Sequence, residues 1–194
     1  MARGQIAGLS CHWSFAGDDS NNQNVLQILD TERLVLRELG DNDAPFILQL
    51  VNEPSWLRFI GDKGIKTVEA ARGYIQKGPV KMYAHFGFGL WLVELKEERV
   101  PIGICGLIKR ESLEDIDLGY AFLPAYWGRG YAFESASATM SHGKSKFGLK
   151  RLVAVMAPDN DASDRLLGKL GFRFERMVQL SNGSPELKLY AVAI

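Results

Sequence analysis

The sequence has little of what several common chemistries require. Its 194 residues hold two cysteines, Cys11 and Cys105, and three histidines, His12, His85 and His142. Two cysteines make no disulfide framework and suit a reducing, cytoplasmic setting. The histidines are scattered without metal-ligand spacing, so no structural or catalytic metal is expected. There is no excess of either charge: Lys+Arg and Asp+Glu number 23 each, which removes the electrostatic case for nucleic acid or an anionic membrane as the main partner. No apolar run approaches the ~20 residues of a membrane-spanning helix. The start lacks the basic segment and apolar block of a signal peptide. What is present is a 46% hydrophobic composition, enough for one domain with its own core.

Residues 1–27 differ from the rest. Gly, Ser, Asn and Asp cluster in AGDDSNNQN without a sustained period, which reads as an N-terminal extension, flexible unless Trp13 and Phe15 dock it on the domain. A single domain is expected over 28–194. Residues 33–38 alternate as a strand. A helix capped by Asp41 or Asp43 runs to about Asn52, before Pro54, and a second fits 67–77, with Thr67 as its cap and Gly78-Pro79 beyond its end. Strands follow at 86–96, 100–109 and 116–123, then a helix over 130–147 stopped by Gly148. A buried strand at 151–156 and a helix at 162–170 come next. Strands at 172–180 and 186–193 flank Asn182-Gly183, a hairpin signal. The order β-α-α-β-β-β-α-β-α-β-β implies an α+β (mixed α/β) fold, a central mixed, largely antiparallel sheet with helices on both faces.

The segment most informative about chemistry is DLGYAFLPAYWGRGYA, residues 117–132. A strand ends at Leu123-Pro124, a loop holding Gly128 and Gly130 follows, and a helix begins. Glycines allow a sharp turn and close backbone approach to a ligand. The amides of Trp127, Gly128, Arg129, Gly130, Tyr131 and Ala132 then converge at a helix N-terminus, which suits phosphate, with Arg129 adding charge. A structural turn is the plain alternative. The loop lacks both the Gly-Lys-Ser/Thr ending of a P-loop and the G-x-G-x-x-G spacing of a dinucleotide fold.

This stretch resembles the acyl-CoA pyrophosphate loop of the GNAT N-acetyltransferases, in particular the RimJ/RimL-type branch. Thr31-Glu-Arg-Leu-Val-Leu-Arg37 is similar to that branch's opening strand, Arg58-Phe-Ile-Gly-Asp62 to its substrate-side loop, and Asn160-x-x-Ser163 with Lys169-Leu-Gly-Phe172 to its later motif. Together these cover about residues 28–194. Two positions depart from the family pattern: Trp127 stands where Gln or Arg is usual, and Leu167 where many members carry a Tyr that protonates the leaving thiolate.

The resemblance implies an acyltransferase in which an amine attacks the thioester of acetyl-CoA, the cosubstrate, directly in a ternary complex. The acceptor would be a protein N-terminus or a small amine. Residues 127–132 would hold the pyrophosphate, and the strand end at Phe122 and Leu123 the pantetheine arm. The amide of Leu123 is also a candidate donor to the developing oxyanion. Asn160 and Ser163 would touch the cofactor arm while capping a helix, with Lys169 in the same motif, and Ser163 is a candidate partner of the thiolate. Asp117, on the same strand face as Leu123, is the first candidate base and Glu94 the second. Their alternatives are a solvated loop-end carboxylate and an edge-strand charge. The acceptor pocket should draw on Trp56, Arg58, Phe59 and Phe88, although aromatics at this density also build cores. Cys105 reads as a buried, inert thiol. A homodimer through the final strands is compatible with the pattern. The rival function is a non-catalytic acyl-CoA-binding regulatory module, allowed by Leu167 and by the unassigned base.

Overall fold

The computed structural model describes residues 25–194. The extension expected at the N-terminus, with Cys11, His12, Trp13 and Phe15, lies outside the described residues apart from its last three. The strands are β1 (Gln27–Asp30), β2 (Leu34–Arg37), β3 (Leu90–Leu95), β4 (Pro101–Ile108), β5 (Ile116–Phe122), β6 (Arg151–Met156), β7 (Arg173–Val178) and β8 (Leu187–Ala193). The helices are α1 (Ala44–Val51), α2 (Pro54–Phe59), α3 (Val68–Ile75), α4 (Lys81–Phe86), α5 (Tyr131–Phe147) and α6 (Asp161–Lys169).

The strands form one sheet in the order β1-β2-β3-β4-β5-β6-β8-β7. Every neighbouring pair is antiparallel except β5 and β6, which run parallel. The middle strands, LWLVEL and PIGICGLI, are buried along nearly their whole length because helices cover both faces. On one face Trp91, Val93, Leu107, Phe122 and Leu167 join a core with α5 and α6; on the other Leu92, Ile104 and Leu123 pack with Ile47, Trp56 and Ile75 of α1, α2 and α3. Gly106 is required by this packing, since a Cβ there would lie 2.0 Å from the carbonyl oxygen of Gly89. Cys105 is buried as expected, its Sγ 3.6 Å from Thr139 Oγ1, and burial pushes its thiol up to about 11.

Three elements differ from the sequence expectation. Pro54, read as the end of a helix, is the first residue of α2, where its missing N–H costs nothing. Gly78-Pro79 does not end helical structure after α3: one wide π-type turn at Gln76–Val80 absorbs Pro79 and leads straight into α4. The next strand therefore begins at Leu90 rather than at residue 86. β1, too short to show a period, pairs with β2 through the turn at Thr31.

Candidate active site

The sheet opens between β5 and β6. Only Ile116–Leu152 and Asp117–Val153 pair across these strands, whereas β4 and β5 pair at six positions. At the vertex, the amide of Val155 donates to Oδ1 of Asp117 at 3.3 Å instead of continuing the ladder. Beyond this point that edge of β5 pairs with no strand among the described residues. Leu123 donates its N–H to Ile102 O at 3.0 Å, and Gly103 lies opposite Phe122. In an antiparallel ladder the neighbouring groups alternate in direction. The N–H and C=O groups of Phe122 and Tyr120 therefore face the gap. Leu123, expected as the oxyanion donor, is not available: its amide is committed to β4. The donors on the open edge are Tyr120 and Phe122.

At the mouth of the fork, Pro124–Tyr126 forms a short 3-10 turn. Gly128 and Gly130 follow with φ of 73° and 86°, and α5 starts at Tyr131. Such angles are open to glycine and strained for other residues. Among the described residues, none of the amides from Gly128 to Phe133 has a protein acceptor. These orphan donors at a 17-residue helix form an anion cradle. Trp127 is excluded from it, because its amide closes the turn on Pro124 O at 3.1 Å. Its indole instead donates to Phe122 O at 2.8 Å. Arg129 makes no ion pair among the described residues and lies 5.8 Å from the Tyr126 ring.

One carboxylate in the helix braces this loop, and its partners lie far from it in the sequence. Glu134, in the first turn of α5, accepts from the Thr31 hydroxyl at 2.6 Å, the Arg33 amide at 2.9 Å and Arg33 Nε at 2.7 Å. Arg33 Nη1 donates to Arg129 O at 3.0 Å. Thr31 and Arg33 lie in the segment matched to the family's opening strand, but nothing local links them to a residue a hundred positions away.

α6 faces the fork from the other side. Asn160 caps it, accepting from the Ser163 amide at 3.1 Å. Ser163 meets the hydroxyl of Tyr120, which burial pushes up to about 12 while that contact opposes the shift. Leu167 is buried in the core, so no acid occupies that position. Lys169 is set apart: with Phe133, Met140, Lys144 and Ile194 it lines an open groove of about 340 Å³ between α5 and α6.

Neither expected base is free. Asp117 is 1% exposed, with Arg110 Nε 2.6 Å from Oδ2; burial raises its carboxyl and Arg110 opposes. It does share a face with Leu123, but at the closed end of the fork. Glu94 is 4% exposed and accepts from Arg37 Nε and Nη2 at 3.0 and 2.7 Å; Arg37 also grips Asp43 at 2.8 Å. It is an internal ion-pair member rather than an edge charge, two strands away from Phe122, or about 10 Å. Of the acceptor candidates, Phe88 is a core residue, stacked on Phe86 and edge-on to Phe147. Trp56 is buried beside Leu123 and Tyr126. Arg58 and Phe59 remain accessible at the end of α2. Arg58 lies over the Phe59 ring and donates to Asp159 at 2.9 Å, joining α2 to the β6–α6 loop.

A mixed sheet split between two parallel strands, with orphan loop amides at the mouth of the split, is the arrangement that the resemblance to acyl-CoA-dependent transferases implies. Residues 33–173 match the family described as acetyltransferase (GNAT) domain. The chain is 32% identical over 173 residues to an uncharacterized N-acetyltransferase, YoaA, of Bacillus subtilis, covering 87% of this chain and 97% of that protein. The protein belongs to the GNAT acetyltransferase family. Among solved structures, a GNAT-family acetyltransferase from Bacillus anthracis is 26% identical with a TM-score of 0.69, covering 84% of this chain and 96% of the other. RimL, a ribosomal L7/L12 alpha-N-protein acetyltransferase in complex with coenzyme A, shares the fold with a TM-score of 0.74 at 21% identity, over 87% of this chain and 98% of that one.

Proposed function

We propose that the protein transfers the acetyl group of acetyl-CoA to a primary α-amine, at a peptide N-terminus or on a small molecule, by direct attack in a ternary complex. The observation that carries this reading is the pair of unsatisfied donor sets at one place: the loop amides from Gly128 to Phe133 and the open edge of β5 at Tyr120 and Phe122. The first set fits a pyrophosphate and the second the amides of a pantetheine arm. Acetyl-CoA supplies the activated thioester. Whichever amide of this edge the pantetheine arm leaves unpaired is the candidate donor to the thioester carbonyl oxygen as it gains charge. Ser163 and Tyr120 offer hydroxyls toward a departing thiolate, in place of the Tyr absent at Leu167.

The choice of an α-amine follows from the bases. With Asp117 and Glu94 both held in ion pairs, neither is free to take the proton, and an acceptor that is already partly neutral suits the site best. An α-amine with pKa about 8 is roughly one-tenth neutral at pH 7, whereas a Lys side chain near 10.4 is neutral at well below one part in a thousand. The likeness to RimL, which acts on an α-amine, runs in the same direction but carries the fold alone. Arg58 and Phe59 are accessible enough to contact an acceptor. A reducing, cytoplasmic setting suits such a substrate pool.

The test is thiol release from acetyl-CoA with peptides carrying free N-termini, beside the same peptides N-blocked with an internal Lys. Turnover confined to free N-termini, climbing with pH to about 8, is expected. Equal turnover on the internal Lys would overturn the acceptor assignment. Retention of CoA without turnover on any amine would favour a regulatory binding module.

A further inference from the structure

A loop with six successive amides that have no acceptor among the described residues is not self-supporting, because their dipoles repel when no anion is bound. Two of its residues also sit at left-handed φ values. Something outside the loop must hold it. The contacts come from the β1–β2 turn and converge on one carboxylate. Glu134 Oε1 takes the Thr31 hydroxyl and the Arg33 amide; Oε2 takes Arg33 Nε and Nη2, each at 2.7 Å. The third nitrogen of the same guanidinium holds the carbonyl of Arg129, and its plane lies over the Tyr131 ring at 4.7 Å. Arg33 Nη2 stands 3.2 Å from where a Cβ on Gly130 would sit. One arginine thus lies against Arg129, Gly130 and Tyr131 and holds Glu134 in the first turn of α5.

The charge balance has a second consequence. A bare carboxylate in that first turn would repel a pyrophosphate. Burial alone would raise the Glu134 carboxyl, but the Thr31 hydroxyl and the Arg33 amide and guanidinium outweigh it and hold it below its ordinary value. Glu134 stays ionised, and its charge is matched by Arg33.

We propose that Arg33 and Glu134 are positioning residues for the acyl donor: their pairing fixes the phosphate loop with its amides presented, and it cancels the negative charge of Glu134 beside the cradle. Neither residue is needed as a direct ligand. The inference rests on the acyl-CoA reading above.

The experiment is calorimetric titration of the full chain with CoA and, in parallel, with S-acetylpantetheine, which lacks the pyrophosphate. Arg33→Met should weaken CoA binding about ten- to a hundredfold, the range of a lost charged hydrogen-bond set, and leave S-acetylpantetheine unchanged. Arg33→Met combined with Glu134→Gln should bind CoA more tightly than Arg33→Met alone, because the uncovered charge is gone. Arg33→Lys, which keeps charge without the fork, should fall between wild type and Arg33→Met; it serves as the readout if Arg33→Met does not fold. Equal loss for both ligands, or an Arg33→Lys and Arg33→Met affinity matching wild type, overturns the clamp while leaving the acyl-CoA reading intact. Failure of the wild type to bind CoA overturns that reading first.

Discussion

The indole N–H of Trp127 donates to the carbonyl oxygen of Phe122 at 2.8 Å, across the mouth of the β5–β6 fork. That carbonyl is part of the free strand edge to which a pantetheine amide would pair. The indole is 48% exposed, so little packing holds it there. Ligand entry should displace it. Trp127→Phe is expected to tighten CoA binding by a few-fold, the scale of one hydrogen bond that no longer competes, about 1 kcal/mol. Saturating CoA should also change wild-type tryptophan emission, and the change should be lost in Trp127→Phe. Emission that does not respond in the wild type would show that the indole stays in place.

Glu94 separates a structural carboxylate from a catalytic one. It is buried with Asp43 around the Arg37 guanidinium, and its second oxygen, 3.7 Å from Arg99 Nε, has no hydrogen-bond partner among the described residues. Removing a member of such a group leaves an uncompensated internal charge. Arg37→Met should cost about 3–5 kcal/mol in denaturant unfolding. Glu94→Gln should lower stability while leaving kcat per folded molecule within about twofold. A stable Glu94→Gln protein without turnover would restore Glu94 as the base.

Asp117 makes a prediction with a definite sign. Its folded carboxyl is raised by burial against the pull of Arg110. A raised value means that the folded state binds the proton more tightly, so this contribution is complete below the ordinary aspartate range and lost as pH rises through the raised value. The stability of wild type relative to Asp117→Asn should therefore fall in thermal melts as pH rises from the ordinary aspartate value of about 4 through the raised one. The acidic limb of the pH–rate profile should persist in Asp117→Asn, since it belongs to the acceptor amine. Loss of that limb would make Asp117 the base.

Much of this site was legible in the sequence, and the limits have physical causes. The run from Asp117 to Ala132 announced a strand, a glycine turn and a helix, and the structure has them. Alternation showed which face each β5 side chain takes. It could not show which amides point into the fork, because that phase is set by pairing with β4; hence Leu123 was expected beside Phe122, in the place that Tyr120 takes. Pro54 and Pro79 read as breaks, yet one starts a helix and the other sits in a wide turn. Asp117 and Glu94 looked like free carboxylates because Arg110 and Arg37 approach them only in the folded chain. The Arg33–Glu134 contact joins residues 101 apart and leaves no periodic trace.

Binding of acetyl-CoA at the Gly128–Phe133 cradle is the claim on which the account stands. Thermal unfolding with acetyl-CoA, beside ADP and NAD, tests it most directly. At a hundredfold excess over the dissociation constant, acetyl-CoA should add about 2.7 kcal/mol of stability. The gain should exceed that from ADP or NAD, and it should vanish in Gly130→Glu, which places a strained side chain and a negative charge in the cradle. No shift at millimolar acetyl-CoA, or an equal shift in Gly130→Glu, would contradict it.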